Sequence, residues 1–182
     1  MIMVREIMTM FGKKIAIALT LTIASTLAAQ AQTPSIIEEF KDWGAYSYQS
    51  ASGKVCYVLS PHKTAAPLSE GGKTLSHGQN YLLIAQRKGQ SVSYEPQVMM
   101  SYKMKEGSKV NLNVGNKAFT FYTRGKVAHL ENAAEEPALV SALRGGSSVS
   151  IKVFSSRNGN ARDYSFSLSG VTAALKKIAS CN

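Results

Sequence analysis

The stretch Asp163-Tyr164-Ser165-Phe166-Ser167-Leu168-Ser169-Gly170, followed by Val171-Thr172-Ala173-Ala174-Leu175-Lys176-Lys177-Ile178-Ala179-Ser180-Cys181, decides how this chain is read. Tyr164, Phe166 and Leu168 alternate with serines, the two-residue period of a strand with one dry and one wet face. Gly170 breaks the alternation. Val171, Ala174, Leu175 and Ile178 then recur at helical spacing, with Lys176 and Lys177 near the helix end, where cations suit its dipole. The segment is a strand, a turn, a short helix and a cysteine. The other cysteine is Cys56. Pairing Cys56 with Cys181 ties the tail back to an early strand and closes a loop around most of the chain.

The same alternation recurs upstream. Lys41 to Gln49, with Trp43, Tyr46 and Tyr48, reads as a first strand, and Lys54 to Ser60 as a second, joined at Ser52-Gly53. Asn80 to Gln86 is apolar on both faces, as a central strand should be. Ser91 to Lys105 reads as one long strand. Its Pro96 cannot donate to a ladder, which predicts an edge position or a bulge there. Strands follow around Val110 to Val114, Phe119 to Phe121, Lys126 to Leu130 and Val149 to Val153. The turns include Lys88-Gly89-Gln90, Glu106-Gly107-Ser108, Gly115-Asn116, Arg124-Gly125 and Asn158-Gly159. Asn132 to Gly145 is the one interior helix, opened by Glu135, Glu136 and Pro137 and closed by Arg144-Gly145-Gly146. Two stretches stand apart. Gln32 to Phe40 reads as a polar lead with a helical turn at Pro34 to Glu39. Pro61 to Gln79 reads as a long unstructured connection, either functional or a tolerated insertion. About nine short strands joined by tight turns predict a mainly β fold, an antiparallel β-sandwich or flattened barrel, with one interior and one C-terminal helix.

The first residues read differently. Lys13 and Lys14 precede the apolar run Ile15 to Leu27 and then Ala29-Gln30-Ala31, the pattern of a secretory signal peptide cleaved after Ala31. The competing reading is a membrane anchor, but the run falls short of the ~20 residues a spanning helix needs. Residues 32–182 then form a single domain with no later membrane-spanning run. They keep 18 basic and 10 acidic residues, a formal charge of +8. That excess favours anionic partners such as lipopolysaccharide phosphates or acidic glycans, and export makes nucleic acid the least suitable of them. The plainer reading is solubility. Export also places the two cysteines in an oxidising compartment, which favours the Cys56–Cys181 disulfide over a metal or redox site.

Motifs for catalysis are missing: there is no G-x-S-x-G, P-loop, H-E-x-x-H or G-x-G-x-x-G. No cofactor or metal site is expected. His62 and His77 flank the long connection and are free to meet, but as a metal pair they lack a third ligand beyond Glu70. His129 reads as a surface or partly buried strand residue. Asp42 and Asp163 are the aspartates available to orient a histidine. Trp43, Tyr46 and Tyr48 are suited to stacking on a sugar, and equally to a core at a sheet end.

Taken in order, several segments resemble the invasion-associated locus B family of Gram-negative envelope proteins. They are the leader, Trp43, the Cys56 strand, Tyr81-Leu82-Leu83-Ile84-Ala85-Gln86-Arg87, Lys117-Ala118-Phe119, Ala138 to Gly145 with Val149-Ser150-Ile151-Lys152-Val153, and Asp163 through Cys181. The resemblance implies an exported, β-rich domain in the periplasm or associated with the outer membrane, and the expected function is a non-enzymatic envelope protein that binds or adheres. In pathogens such proteins are linked to host-cell entry. It implies no catalytic residues. The alternatives are a periplasmic hydrolase using His62 or His77, and a stress or assembly factor. The Pro61–Gln79 connection departs from the family pattern.

Turn geometry adds one site. In a meander successive turns alternate between the two ends of the sheet. The Glu106-Gly107-Ser108 and Arg124-Gly125 turns therefore share an end, with Gly115-Asn116 at the other. That end gathers Lys103, Lys105, Lys109, Arg124 and Lys126 around a single acid, Glu106, and is the expected polyanion-binding site. Solvated lysines that merely blunt a sheet edge are the competing reading.

Overall fold

Alternating apolar residues turn inward from nearly every strand, and the sheet they form closes on itself. The computed structural model describes residues 33–65, 68–70, 73–87 and 94–181. The leader with its cleavage after Ala31, and the Lys88-Gly89-Gln90 turn, lie outside the described residues. The elements run β1 (Ser35–Phe40), β2 (Trp43–Ser50), β3 (Gly53–Ala65), β4 (Leu68–Glu70), β5 (Lys73–Leu75), β6 (Tyr81–Arg87), β7 (Glu95–Met99), β8 (Lys109–Val114), β9 (Lys117–Arg124) and β10 (Val127–Leu130). Helix α1 (Glu136–Gly145), β11 (Ser148–Phe154), β12 (Ala161–Ser167) and α2 (Val171–Ala179) follow. All pairings are antiparallel, in the order β1-β2-β3-β12-β11-β8-β9-β10-β7-β6, and β6 returns to β3. Eight strands, β3 to β6 in that order, form a closed barrel, with β1 and β2 as an extension. Closure removes the free edges of those eight strands and leaves β1 as the edge of the extension.

The long β3 makes closure possible. Its first part pairs with β2 and with β6, from Val55 opposite Arg87 to Pro61 opposite Tyr81. Its last residues pair with β12, Ala65 facing Tyr164, with an irregularity beside Phe166. Inside lie Val58, Leu82, Ile84, Leu112, Phe121, Ile151 and Phe166, each at most 2% exposed. Helix α2 buries Val171, Ala174, Leu175 and Ile178 and packs against β1, β2 and β3. Trp43 is sealed in the same core, its indole N–H donating to the Ser167 carbonyl at 2.9 Å. Directly after α2, Cys181 is bonded to Cys56, their Cα atoms 6.3 Å apart, within the span a disulfide bridges without moving the backbone.

Several expectations need correction. The lead before Phe40 is the edge strand β1, not a helical turn, because pairing with β2 outweighs the local preference of Ser35-Ile36-Ile37-Glu38-Glu39. The Pro61–Gln79 connection is not unstructured: β3 runs on to Ala65, and β4 pairs with β5. Of the long strand expected over Ser91 to Lys105, the described residues 94–105 hold only the five-residue β7. Pro96 lies neither at an edge nor at a bulge. Its register with β6 is unbroken, and β10 pairing stops at Gln97, so that side makes no demand on the proline nitrogen.

Gly170 joins β12 to α2 with φ +99°, and a Cβ there would collide with the Phe40 carbonyl oxygen. Replacing it by alanine combines a disfavoured backbone with a backbone clash. Gly170→Ala should cost about 3 kcal/mol, read as a lower denaturant midpoint at unchanged slope.

Candidate functional site at one end of the barrel

Between β7 and β8 the chain crosses one end of the barrel. The Met100 and Met104 N–H groups donate to the carbonyls of Lys126 and Gly125, both at 2.8 Å. Lys105 N–H donates to Phe154 at 2.7 Å, and Ser156 N–H to Lys103 at 3.0 Å. The Thr123 hydroxyl sits 3.0 Å from the carbonyls of both Lys105 and Ser108. These bonds hold three turns together: the one before β8, the one between β9 and β10, and the tip of the β11–β12 hairpin. Met104 is turned inside, whereas Lys103 and Lys105 on either side of it point to solvent.

Lys103, Lys105, Arg124 and Lys126 are all exposed on this end. Lys109 also lies there, but its ammonium pairs with Glu131, so its charge is partly neutralised. Arg157, exposed on the β11–β12 tip, joins the group and escaped the sequence reading. Its place follows from β11 pairing with β8, Lys152 opposite Asn111. The antiparallel β11 ends where β8 begins, and that adjacency of distant strands is not encoded locally. Glu106 is the single acid on the three turns.

No protein-family model matches the chain, and no curated protein does. Among solved structures, invasion associated protein B from Bartonella henselae is similar, with a TM-score of 0.53 over 78% of this chain and 94% of that one. The chain shares the fold of an invasion associated protein B. At 13% identity that likeness concerns the fold alone, and it agrees with the resemblance carried by the sequence segments.

Under the basic end, the barrel holds a polar cluster. Tyr164 of β12 is 2% exposed. The rings of His62 and His77 both stand edge-on to it, centroids 5.4 and 5.3 Å away and 6.2 Å from each other. His77 Nδ1 lies 3.0 Å from the Tyr164 hydroxyl, which in turn lies 3.1 Å from that of Tyr102. The Arg162 guanidinium stacks over the Tyr102 ring at 5.6 Å. Burial, reinforced for Tyr102 by the bond to Tyr164, pushes both phenols above their ordinary range, so they remain neutral. Asn80 pins the cluster: its amide donates to the His77 carbonyl and its Oδ1 accepts from Ser101 N–H. The two histidines do meet, as the flanking positions allowed. Among the described residues no three His, Cys, Asp or Glu side chains gather to hold a metal.

The remaining candidates are dispersed. Asp163 pairs with Lys152 at 3.3 Å and Asp42 with Lys63 at 2.5 Å, and His129 stacks on Tyr122. Trp43 belongs to the core, while Tyr46 and Tyr48 face outward and are joined by Tyr57. The hydrogen bond from Lys63 holds the Asp42 carboxyl below the ordinary carboxylate range. A lowered folded pKa means the pair contributes fully above the unfolded value of ~4 and is lost as pH falls through the folded value. A carboxyl titration followed by NMR should place Asp42 below reference, and Lys63→Met should raise it towards reference, the Ser167 hydrogen bond remaining.

Among the described residues no helix is long and apolar enough to cross a membrane.

Proposed function

We propose that this is an exported, non-enzymatic protein of the bacterial envelope that binds anionic partners through one end of its barrel. Lipopolysaccharide phosphates and acidic glycans are the partners of matching chemistry. One observation carries the reading: Lys103, Lys105, Arg124, Lys126 and Arg157 converge from three turns around a single acid. Their backbones are fixed to one another by hydrogen bonds, so an anion meets the charges without first ordering the loops. The leader pattern and the shared fold support export. A role in host-cell entry is the finer form of the same reading.

The meeting of His62 and His77 favours a second reading, a hydrolase. The group at His77 Nδ1 is a neutral phenol, however, where a catalytic base is usually oriented by a carboxylate. An untargeted activity screen with His62→Ala and His77→Ala separates the two. Turnover lost in either variant would overturn the binding reading. The direct test is binding to immobilised heparin and to lipopolysaccharide across a salt series. Binding that weakens steeply with salt is expected, and binding indifferent to salt would refute it.

A further inference from the structure

A second surface, sharing no residue with the basic end, is built from tyrosines. Tyr46 on β2 and Tyr57 on β3 are cross-strand partners on the face turned away from the Cys56 and Val58 side chains. Their rings stack 5.3 Å apart and 16° from parallel, and Tyr48 sets its edge to Tyr57 at 6.1 Å. Tyr48 remains 37% exposed, and the other two are half-buried. Gly44 decides where the Tyr46 ring lies. A Cβ on Gly44 would stand 2.5 Å from Tyr46 Oη and 2.6 Å from its ring. Without one, the ring leans back along the strand over bare backbone.

There it lines a shallow cleft of about 210 Å³ with Leu59 and Pro61. The cleft is also lined by Glu39, Lys41, Asp42 and Lys63, two acids and two bases. Unlike the barrel end, this surface offers no net charge to a polyanion. It offers an aromatic face, a carboxylate that accepts hydrogen bonds and an ammonium that donates them. The matching ligand has an apolar face, a perimeter of hydroxyls and no net charge. A pyranose ring has all three. The cleft is smaller than the ~300 Å³ at which drug-sized pockets begin, so it seats a single ring, with neighbouring sugars running on over Tyr57 and Tyr48.

We infer that this tyrosine face is a binding site for neutral oligosaccharides, with Tyr46 stacked on one sugar ring and Asp42 and Lys63 bonded to its hydroxyls. The test is calorimetric titration of the folded protein with chitotetraose and maltotetraose, at low and high salt. Saturable binding of at least one of them, unchanged by salt, is expected. Tyr46→Ala should weaken it about tenfold, the loss of one aromatic contact. Gly44→Ala keeps every tyrosine but displaces the ring, and because the clash falls on the far end of a movable side chain the fold survives. It should weaken binding comparably. Lys105→Glu should leave binding unchanged. The inference fails if neither saccharide titrates, or if Tyr46→Ala and Gly44→Ala bind like the parent. It also fails if Tyr46→Ala alters only sedimentation, which would make a second copy of the chain the occupant.

Discussion

Without the Cys56–Cys181 bond the domain should lose ~5 kcal/mol of stability, the largest change expected from any single site. The bond spans a sequence separation of 125. In the chain-entropy model, freeing a denatured loop of that length costs ~5 kcal/mol, less any strain released. For a domain of about 150 residues the melting temperature should fall by roughly 10–20 °C. The native state itself should change little. Helix α2 keeps Val171, Ala174, Leu175 and Ile178 in the core, and Trp43 keeps its bond to Ser167. The effect therefore lies in the unfolded chain, which expands when untied. The denaturant slope should rise as the midpoint falls, because more surface becomes exposed on unfolding. The paired variant Cys56→Ala with Cys181→Ala avoids leaving a polar group at the buried Cys56 site, which is 3% exposed. Equal melting of the parent in reducing and oxidising buffer would show that the bond does not act this way.

Charge reversal at the barrel end should abolish polyanion binding while the fold persists. Lys105, Arg124, Lys126 and Arg157 changed together to glutamate convert a basic surface into an acidic one. All four are exposed, so the core is untouched. Lys109 is left alone because it already pairs with Glu131. Counterion-release arithmetic, worked out for nucleic acid, gives the scale. About four ion contacts predict that parent binding falls about a hundredfold between ~50 and ~200 mM salt. The variant should show no binding at the lowest salt. Lys117→Glu, at the Gly115-Asn116 turn on the opposite end, should bind like the parent. If the quadruple variant binds normally, or if Lys117→Glu is the damaging change, the barrel end is not the site.

The sequence on its own was enough for the strands whose alternation is clean. Val110, Leu112 and Val114 face inward as their spacing demands, and so do Tyr164, Phe166 and Leu168. It was also enough for both helices, for the turns at glycine among the described residues, for the cysteine pair, and for two basic turns sharing an end. Each of these depends on neighbours within a few residues, on the two-residue period of a strand, or on a count of two. Closure of the sheet was decided elsewhere. Nothing in Gly53 to Ala65 announces that its second part will turn from β2 to β12, because that choice depends on partners about a hundred residues away. Separation in sequence also hid Arg157, which reaches the basic end through the pairing of β11 with β8 and the bonds from the β11–β12 tip to Lys103 and Lys105. It also divided Trp43 from Tyr46 and Tyr48. Alternation places Trp43 and Tyr46 on opposite faces of β2, but only the packing of α2 determines which face becomes core and which remains a tyrosine surface open to solvent.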